Sequence, residues 1–385
     1  MSVDFESDEF LMAAISYLIV HRRASGYKQI DIARDVRARF PRVSELQQSK
    51  VSKLIKSAIE KKYLVKTFGL GPNISKEIRQ FVEDEFQSDP KLQELVDANS
   101  PHPFRCKVHV CTGPLEDYPH EAAWKLTKIL EPAKLVAVSW GRTLADVLKA
   151  LDELTFAPNW DFEAFPIVGQ PLHLRDRESE TRFDAFHLAE QLLQFTASDP
   201  AKKRHMPLLN GVPAYIASKF KRNEIRAFIN EIPGYAEIFG SSQDGSTPLS
   251  ARMCALLTGV GLVGENVSDD NTAVFIRERL EQEPKLKCDR LKKWIYGDIS
   301  GWLLAKPTSG AEEKIADYND GWVGLDDETL RQCSERASKN NLPGIVIFAY
   351  QPEKAEIVAR VVAKGWVNNL VIHKGLAETL EKELG

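Results

Sequence analysis

The sequence predicts an α/β fold: a small N-terminal helix-turn-helix module, winged-helix-like, followed by a doubly wound and mainly parallel α/β domain. Two observations predict this. Residues 21–70 combine helical periodicity with an excess of positive charge, and the chain beyond residue 104 alternates β-branched apolar runs with helical patterns. Such alternation is typical of a parallel sheet covered by helices on both faces. The expected division is 1–68 for the helical module, 69–103 for a linker with helices, and 104–385 for the α/β domain.

The composition is that of an ordinary soluble globular protein. The 385 residues are 43% hydrophobic with a formal net charge of −4, which argues against disorder. The apolar stretch Phe10–Val20 is too short for a membrane span and follows acidic residues, so neither a span nor a signal peptide is expected. Five cysteines without a CxxC pair predict free thiols and a cytoplasmic location.

Charge is distributed unevenly along the chain. Residues 21–70 contain thirteen basic and four acidic side chains, a net charge of +9, whereas residues 71–385 carry a net charge of −9. A basic module joined to an acidic body indicates an anionic polymer as partner of the first part. The alternative interpretation is a solvated basic surface with no nucleic-acid partner.

Three helices are predicted in the basic module, at Phe10–His21, Tyr27–Phe40 and Gln47–Lys61. Their apolar positions recur at three- and four-residue spacing, as in amphipathic helices. The second helix is expected to turn Lys28, Arg34 and Arg37 outward. The residues expected to face the core are Leu11, Ile15, Leu18 and Ile19 in the first helix, Ile30, Ala33 and Val36 in the second, and Val51, Leu54, Ile55 and Ala58 in the third.

This order of helices predicts a helix-turn-helix, in which one helix braces the phosphate backbone and the next enters the major groove. Gln pairs with adenine, Lys reaches guanine or phosphate, and Ser reaches base edges or phosphates. Operator DNA is therefore the predicted partner, and a protein-binding helical bundle is the alternative. The run Tyr63–Val65 is interpreted as the strand of a wing. The residues predicted to contact DNA are Tyr27, Lys28, Gln47, Gln48, Ser49, Lys50, Ser52 and Lys53.

The remainder of the chain is predicted to form a linker and six strand–helix units. Gly69–Asn73 is interpreted as a hinge, followed by helices at Ile74–Phe86 and Lys91–Ala98. Strands are expected at Arg105–Cys111, Lys134–Ser139, Glu163–Val168, Leu256–Val263, Gly344–Tyr350 and Asn369–His373. Helices are expected at His120–Leu130, Leu144–Leu154, Phe183–Phe195, Lys221–Ile229, Thr272–Gln282 and Pro352–Lys364. Ligands of such sheets bind at the carboxyl ends of the strands.

Three segments at strand ends carry candidate ligand groups. In Ser139–Thr143, a helix start with Arg142 favours a phosphate or carboxylate, unless Thr143 only caps the helix. Gly259–Gly264 spells GxGxxG, but no acid-ending strand follows, so we interpret it as a tight strand exit without a nucleotide. Asp298 lies between two glycines and is suited to accept sugar hydroxyls, with a simple Asp turn as the alternative.

Neither a metal nor a cofactor is predicted. Cys106, His109 and Cys111 are close in sequence, but alternation in a strand separates Cys106 from the other two, and zinc sites use tighter paired spacings. These residues are interpreted as buried side chains.

Taken together and in order, the segments resemble the SorC family of bacterial sugar-binding transcription regulators. The residues that carry the resemblance are Gln48–Ile55, Val138–Leu144 with its Ser-Trp-Gly-Arg-Thr run, Gly259–Gly261, Gly297–Gly301 and Gly365–Val371. The resemblance implies an effector domain similar to the phosphosugar isomerase/CoA-transferase fold that has lost catalysis. It also implies a sugar or sugar phosphate as effector, a homodimer or homotetramer, and operator affinity that changes when the effector binds.

Matching positions imply a set of effector-binding residues. Arg142 and its neighbours correspond to the loop that holds a phosphate or equivalent polar end, Asp298 to an acid facing the sugar, and Lys354 to a phosphate-side lysine. The full set is Gly141, Arg142, Thr143, Gln170, Gly259, Gly261, Asp298 and Lys354. The sequence departs from the family pattern at Leu262, Tyr350-Gln351, Trp302–Ala305 and His373-Lys374.

The alternative function is enzymatic: a sugar-phosphate isomerase-like or hydrolase enzyme with an accessory basic domain. Such an enzyme needs a group that moves a proton at the substrate. Asp298 is the one candidate that the motifs offer for this task. No catalytic residue is assigned in the leading interpretation.

Overall fold

The computed structural model describes residues 7–21, 29–41, 43, 46–61, 89–154, 160–169, 183–196, 206–209, 211–217, 221–240, 247–264, 273–283, 286–308 and 310–385. The predicted wing strand, hinge and helix at residues 63–86 lie outside the described residues, as do the predicted contact residues Tyr27, Lys28 and Gln170. None of the described helices is long and apolar enough to cross a bilayer.

The described helices and strands follow one another along the chain with short connections. The helices are α1 Asp8–His21, α2 Gln29–Arg39, α3 Gln48–Glu60, α4 Pro90–Asn99, α5 Tyr118–Ile129, α6 Arg142–Asp152, α7 Ala185–Leu193, α8 Arg222–Asn230, α9 Pro233–Phe239, α10 Leu249–Arg252, α11 Val274–Gln282, α12 Cys288–Trp294, α13 Ala311–Asp320, α14 Asp327–Asn340, α15 Ala355–Ala363 and α16 Lys374–Leu384. The strands are β1 Lys107–Cys111, β2 Leu135–Val138, β3 Glu163–Pro166, β4 Ala255–Gly261, β5 Ile295–Ile299, β6 Trp302–Ala305, β7 Gly344–Ala349 and β8 Asn369–His373.

Six of these strands form a parallel sheet in the order β1-β8-β7-β4-β2-β3. They are the six strands that the sequence predicts, each within a few residues of the expected bounds. From β2 the chain moves outward to β3, and it then returns to place β4 on the other side of β2. The strand order therefore reverses between β2 and β4.

Helices cover both faces of the sheet, which confirms the doubly wound prediction. Along β2, Val136 and Val138 pack into a core with α5, α6 and α7, whereas Leu135 and Ala137 pack into a second core with α14, α15 and α16. Successive side chains of a strand point to opposite faces, so an apolar run can fill two cores at once.

The β5–β6 hairpin was not predicted. β5 and β6 pair antiparallel through Ser300 and Gly301, whose φ angles of 48° and 87° are both positive, as in a two-residue type I′ turn. β5 also pairs antiparallel with the end of β4, joining Gly261 to Asp298. Asp298 therefore lies on a strand, and the alternative of a simple Asp turn is wrong. Six helices, α9, α10, α12, α13, α14 and α16, were also missed.

The three predicted helices of the basic module are confirmed as α1, α2 and α3, which enclose a core of their own. Two details differ from the sequence interpretation. Every residue from 10 to 18 is buried, Ser16 included, so α1 is a central helix and not an amphipathic one. Ile30 is 57% exposed, and Ile32 takes its predicted place because Ile32, Ala33 and Val36 fall on one helical face.

Candidate functional site

A cavity of about 290 Å³ lies at the carboxyl ends of β2, β4 and β7. It opens where the strand order reverses, the place at which open α/β sheets bind ligands. The structure brings together at this cavity seven of the eight predicted effector residues, Gly141, Arg142, Thr143, Gly259, Gly261, Asp298 and Lys354. The eighth, Gln170, is outside the described residues.

The wall that follows β2 is a helix start. Gly141 is the N-cap of α6 with φ of 151°, a value that L side chains rarely adopt, and open space surrounds its α-carbon. Because Gly141 holds the cap position, the alternative that Thr143 caps the helix is wrong; Thr143 lies in the first turn. Backbone N–H groups of a first turn have no carbonyl partner within the helix. This wall therefore offers N–H donors, a hydroxyl and the Arg142 guanidinium.

The opposite wall carries Asp298, which is only 2% exposed. Its Oδ2 accepts a hydrogen bond from the Gly301 N–H at 2.9 Å, while its Oδ1 has no hydrogen-bond partner in the described part of the chain. Burial raises the pKa of Asp298 to about 6, against the opposing effects of the Gly301 N–H and the Arg279 and Lys354 charges. A buried acceptor oxygen left unpaired is costly, which indicates a place for a ligand hydroxyl or a water.

Two glycines allow the Asp298 carboxylate to reach this position. A Cβ on Gly261 would lie 2.1 Å from Asp298 Oδ1, and one on Gly297 would lie 1.9 Å from the Gly261 carbonyl oxygen. β4 and β5 thus approach more closely than any side chain at these positions would permit. The predicted strand exit at Gly259–Gly261 has this close approach as its physical cause.

The turn that follows Asp298 is fixed from two sides. The fully buried Arg279 donates from Nη2 to the Gly301 carbonyl at 2.6 Å, while the Gly301 N–H donates to Asp298. The Arg279 guanidinium also stacks over Trp322, 5.5 Å from the ring centroid. Ser300 donates to Thr258 Oγ1 at 2.9 Å and lines the cavity. Asp298 is therefore held in one orientation before any ligand arrives.

Lys354 lies in a short 3₁₀ turn, Pro352–Lys354, between β7 and α15. It is 9% exposed, and its ammonium stands 6.0 Å above the Tyr350 ring. Burial lowers the pKa of Lys354 to about 8; the Arg142 charge lowers it further, and Asp298 opposes both. At pH 7 Lys354 is still mainly protonated and Asp298 mainly ionised.

Opposite charges balance around the cavity. Arg142 and Lys354 contribute two positive charges, and Asp146 and Asp298 contribute two negative charges. Asp146 was missed by sequence reasoning, although its position one helical turn after Arg142 is a usable signal. The described lining of the cavity as a whole carries no formal charge.

Aromatic side chains were also underestimated. Trp140, Phe275 and Tyr350 line the cavity, and Trp140 and Phe275 meet edge-to-face with centroids 5.3 Å apart. Such rings pack against the apolar faces of a ligand while its polar groups bind elsewhere. Trp140 belongs to the predicted Ser-Trp-Gly-Arg-Thr run. Phe275 follows a segment that no sequence pattern connects with the site.

The four departures from the family pattern have distinct locations. Leu262, Tyr350 and Gln351 line the cavity, so they replace a hydroxyl and two small residues with larger side chains. Trp302–Ala305 is strand β6, away from the lining. His373 caps α16, with its Nδ1 accepting from the Gly375 N–H at 3.2 Å. The first group alters the ligand space, and the other two are structural.

In the helical module, the predicted recognition helix presents a continuous polar face. The core side of α3 consists of Val51, Leu54 and Ala58, with Ile55 only partly buried against it. Eight residues separate α2 from α3, a longer connection than the usual turn. The exposed residues at the start and along the outer face are Gln47, Gln48, Ser49, Lys50, Ser52, Lys53 and Lys56.

Comparison with solved structures gives a likeness over the whole chain. The full-length sorbitol operon regulator SorC from Klebsiella pneumoniae aligns over 97% of this chain and 100% of that chain, with a TM-score of 0.51 and 16% identity. The two chains share a fold. The fold class predicted from the resemblance, a helical module followed by an α/β domain, is thereby confirmed.

Two further structures align over about three quarters of this chain with lower TM-scores. A DeoR family transcriptional regulator from Listeria monocytogenes matches 75% of this chain and 97% of that chain at 18% identity and a TM-score of 0.48. A probable sor operon regulator from Shigella flexneri matches 76% and 100% at 16% identity and a TM-score of 0.48. No protein-family model and no curated protein matches the chain.

Proposed function

We propose that this protein is a DNA-binding transcription regulator of the SorC type whose operator affinity is controlled by a bound sugar. The observation that carries the proposal is the joint presence, in one chain, of the polar face of α3 and the cavity around Asp298. The division 1–68, 69–103 and 104–385 assigns these two tasks to the first and last segments. Such a regulator acts in the cytoplasm as a homodimer or homotetramer.

The mechanism couples the two sites through subunit arrangement. A ligand in the cavity favours one arrangement of subunits over another, since it binds that arrangement better. Two recognition helices are then spaced well or badly for operator half-sites about 34 Å apart. Coupling of this kind amounts to about 1–3 kcal/mol, or about 5- to 150-fold in operator affinity.

We further propose that the ligand is an uncharged sugar or polyol. The charges lining the cavity already balance, so a phosphate dianion would enter without a cation left to neutralise it. Larger residues at Leu262, Tyr350 and Gln351 also fill space that glycine and serine would leave open. The unpaired Asp298 Oδ1 is an acceptor for a hydroxyl, not for a phosphate oxygen.

A thermal-shift and calorimetric screen tests this ligand class on the full chain. The panel pairs hexoses, hexitols and pentitols with their phosphate esters. A neutral member is expected to raise the melting temperature, since ligands of the native state stabilise it, and its ester to bind at least about 10-fold more weakly. Arg142→Ala should remove the response to the neutral ligand and leave DNA binding unchanged.

Two outcomes would contradict the proposal. Tighter binding of the ester would exclude the neutral ligand class, though not the regulator. Consumption of the ligand by the purified protein would instead support the alternative derived from the sequence, an isomerase-like or hydrolase enzyme.

Substitutions on α3 test the DNA interface. Gln48→Ala should reduce discrimination between operator and altered duplexes by about 1–3 kcal/mol, because a bidentate contact to adenine reads the base. Lys53→Ala should instead weaken binding to every duplex equally, since a phosphate contact carries no sequence information. Competition binding against a duplex selected from random sequence measures both. Identical effects of the two substitutions would contradict the assignment of α3 as the recognition helix.

A further inference from the structure

A second cavity, of about 340 Å³, lies at the other edge of the sheet. It is formed at the amino ends of β1, β7 and β8 and by the C-terminal turns of α5 and α14. None of the seven described effector residues lines it. Its position separates it from the cavity around Asp298, which is at the carboxyl ends of the strands.

The second cavity is strongly basic. Four cations line it, Arg105, Lys107, Lys125 and Lys128, and the one carboxylate in the described lining is Glu131, which pairs with Lys128 at 3.3 Å. Arg105 and Lys107 are exposed and form no ion pair with any described residue, while Lys125 is only 4% exposed. The lining thus has a formal excess of three positive charges, in a part of the chain whose net charge is −9.

Helix dipoles do not account for this excess. The C-terminal ends of α5 and α14 face the cavity and attract cations, but each end is equivalent to only about half a negative charge. Together they offset about one charge of the three. Grouping the remaining cations is unfavourable unless an anion joins them.

Neutral polar groups complete the lining. His109 Nε2 lies 2.9 Å from Asn369 Oδ1, and Asn369 in turn donates to the Pro343 carbonyl at 2.7 Å, so both side chains have fixed orientations. Burial lowers the pKa of His109 to about 4, and the charges of Lys125 and Lys107 contribute while the Asn369 hydrogen bond opposes them. The imidazole is therefore neutral at pH 7 and adds a hydrogen-bonding group without charge.

We propose that this cavity binds a small phosphate-bearing anion, either inorganic phosphate or a phosphate monoester, independently of the sugar site. The planar guanidinium of Arg105 can hold two phosphate oxygens at once, and the lysines act as point charges beside it. The protein then has one site for a neutral ligand and one for an anion, at opposite ends of the same sheet.

Calorimetry on the full chain tests this site with two probes, inorganic phosphate and glucose 6-phosphate, at constant ionic strength. Arg105→Gln combined with Lys107→Gln is expected to weaken binding at least about 10-fold. Both side chains are exposed, and the melting temperature without probe checks that the variant is folded. Lys287→Gln, which removes an exposed lysine that lines neither cavity, should bind as the wild type does. The probe that binds more tightly identifies the source of the phosphate group.

A second measurement locates the anion. The pKa of His109, followed by NMR, should rise when the probe is bound, because a nearby negative charge favours the imidazolium. Failure of both probes to bind, equal binding by the double variant, or an unchanged pKa of His109 would each overturn the proposal. Loss of phosphate binding in Arg142→Ala but not in the double variant would also overturn it, by moving the anion to the cavity around Asp298. The DNA-binding and sugar-binding proposals are tested separately and survive any of these results except the last, which contradicts the neutral ligand class.

Discussion

Asp298→Asn is expected to weaken binding of the sugar ligand about 10- to 100-fold. The carboxylate has one oxygen committed to the Gly301 N–H and one without a partner among the described residues, and hydrogen bonds to charged groups contribute about 1.5–3 kcal/mol. Asn keeps the shape of the side chain but loses the charge, and its amide presents a donor where the ligand hydroxyl needs an acceptor. Calorimetry with the neutral ligand found in the screen measures the change.

The pH dependence gives this prediction a second readout. Since the pKa of Asp298 is about 6, the wild-type affinity should fall as the pH drops through 6, whereas the Asn variant should show no such fall. The raised pKa also means that ionised Asp298 costs stability: its contribution to folding is present at low pH and disappears as the pH rises through about 6. The ligand-free Asn variant should therefore be at least as stable as the wild type at pH 7.

A matched control is Asp161→Asn, which removes an exposed carboxylate paired with Lys134. This variant should bind the ligand with unchanged affinity. If Asp298→Asn and Asp161→Asn behave alike, Asp298 does not contact the ligand.

Replacement of Lys50, Lys53 and Lys56 together by Gln is expected to weaken duplex binding by about 100-fold or more. The three side chains are exposed along one stripe of α3, and a net charge of +9 surrounds them in residues 21–70. Each lysine–phosphate interaction that the substitutions abolish reduces the slope of log affinity against log salt concentration by about 0.9. Abolishing all three would reduce that slope by about 2.7, which binding at several salt concentrations measures directly.

The control for this variant has the same change in net charge in a different part of the chain. Lys134→Gln, Lys287→Gln and Lys382→Gln combined alter three exposed lysines outside the helical module. That variant should keep the wild-type slope. A slope that falls equally in both variants would mean that net charge, and not the α3 face, governs binding to the duplex.

Local pattern determined the elements with strong periodicity. Strands such as β4 and β7 are runs of β-branched residues that no helical spacing explains, and they were predicted within one or two residues. The three helices of the basic module were predicted for the same reason. Ile30 was assigned to the core wrongly, because a short helix offers two plausible apolar faces and only packing against α1 and α3 selects one.

The hairpin β5–β6 escaped prediction because its signals are local but weak. Its strands have five and four residues, and the Ser-Gly turn between them was interpreted as part of a glycine-flanked acid. Without the hairpin, the pairing of Gly261 with Asp298 was not visible. Sequence reasoning therefore named Asp298 as a candidate but gave no reason for its raised pKa.

By itself, the sequence determined the fold class, the six parallel strands and the order of the candidate residues, since each depends on the spacing of residues close together along the chain. Tertiary structure alone decided that seven of those residues meet at one cavity, that Asp146 balances Arg142 there, and that a basic cavity lies at the opposite edge. Both cavities join residues that are far apart in the sequence. Contact at such separations follows from strand order and side-chain packing, and no local pattern encodes either.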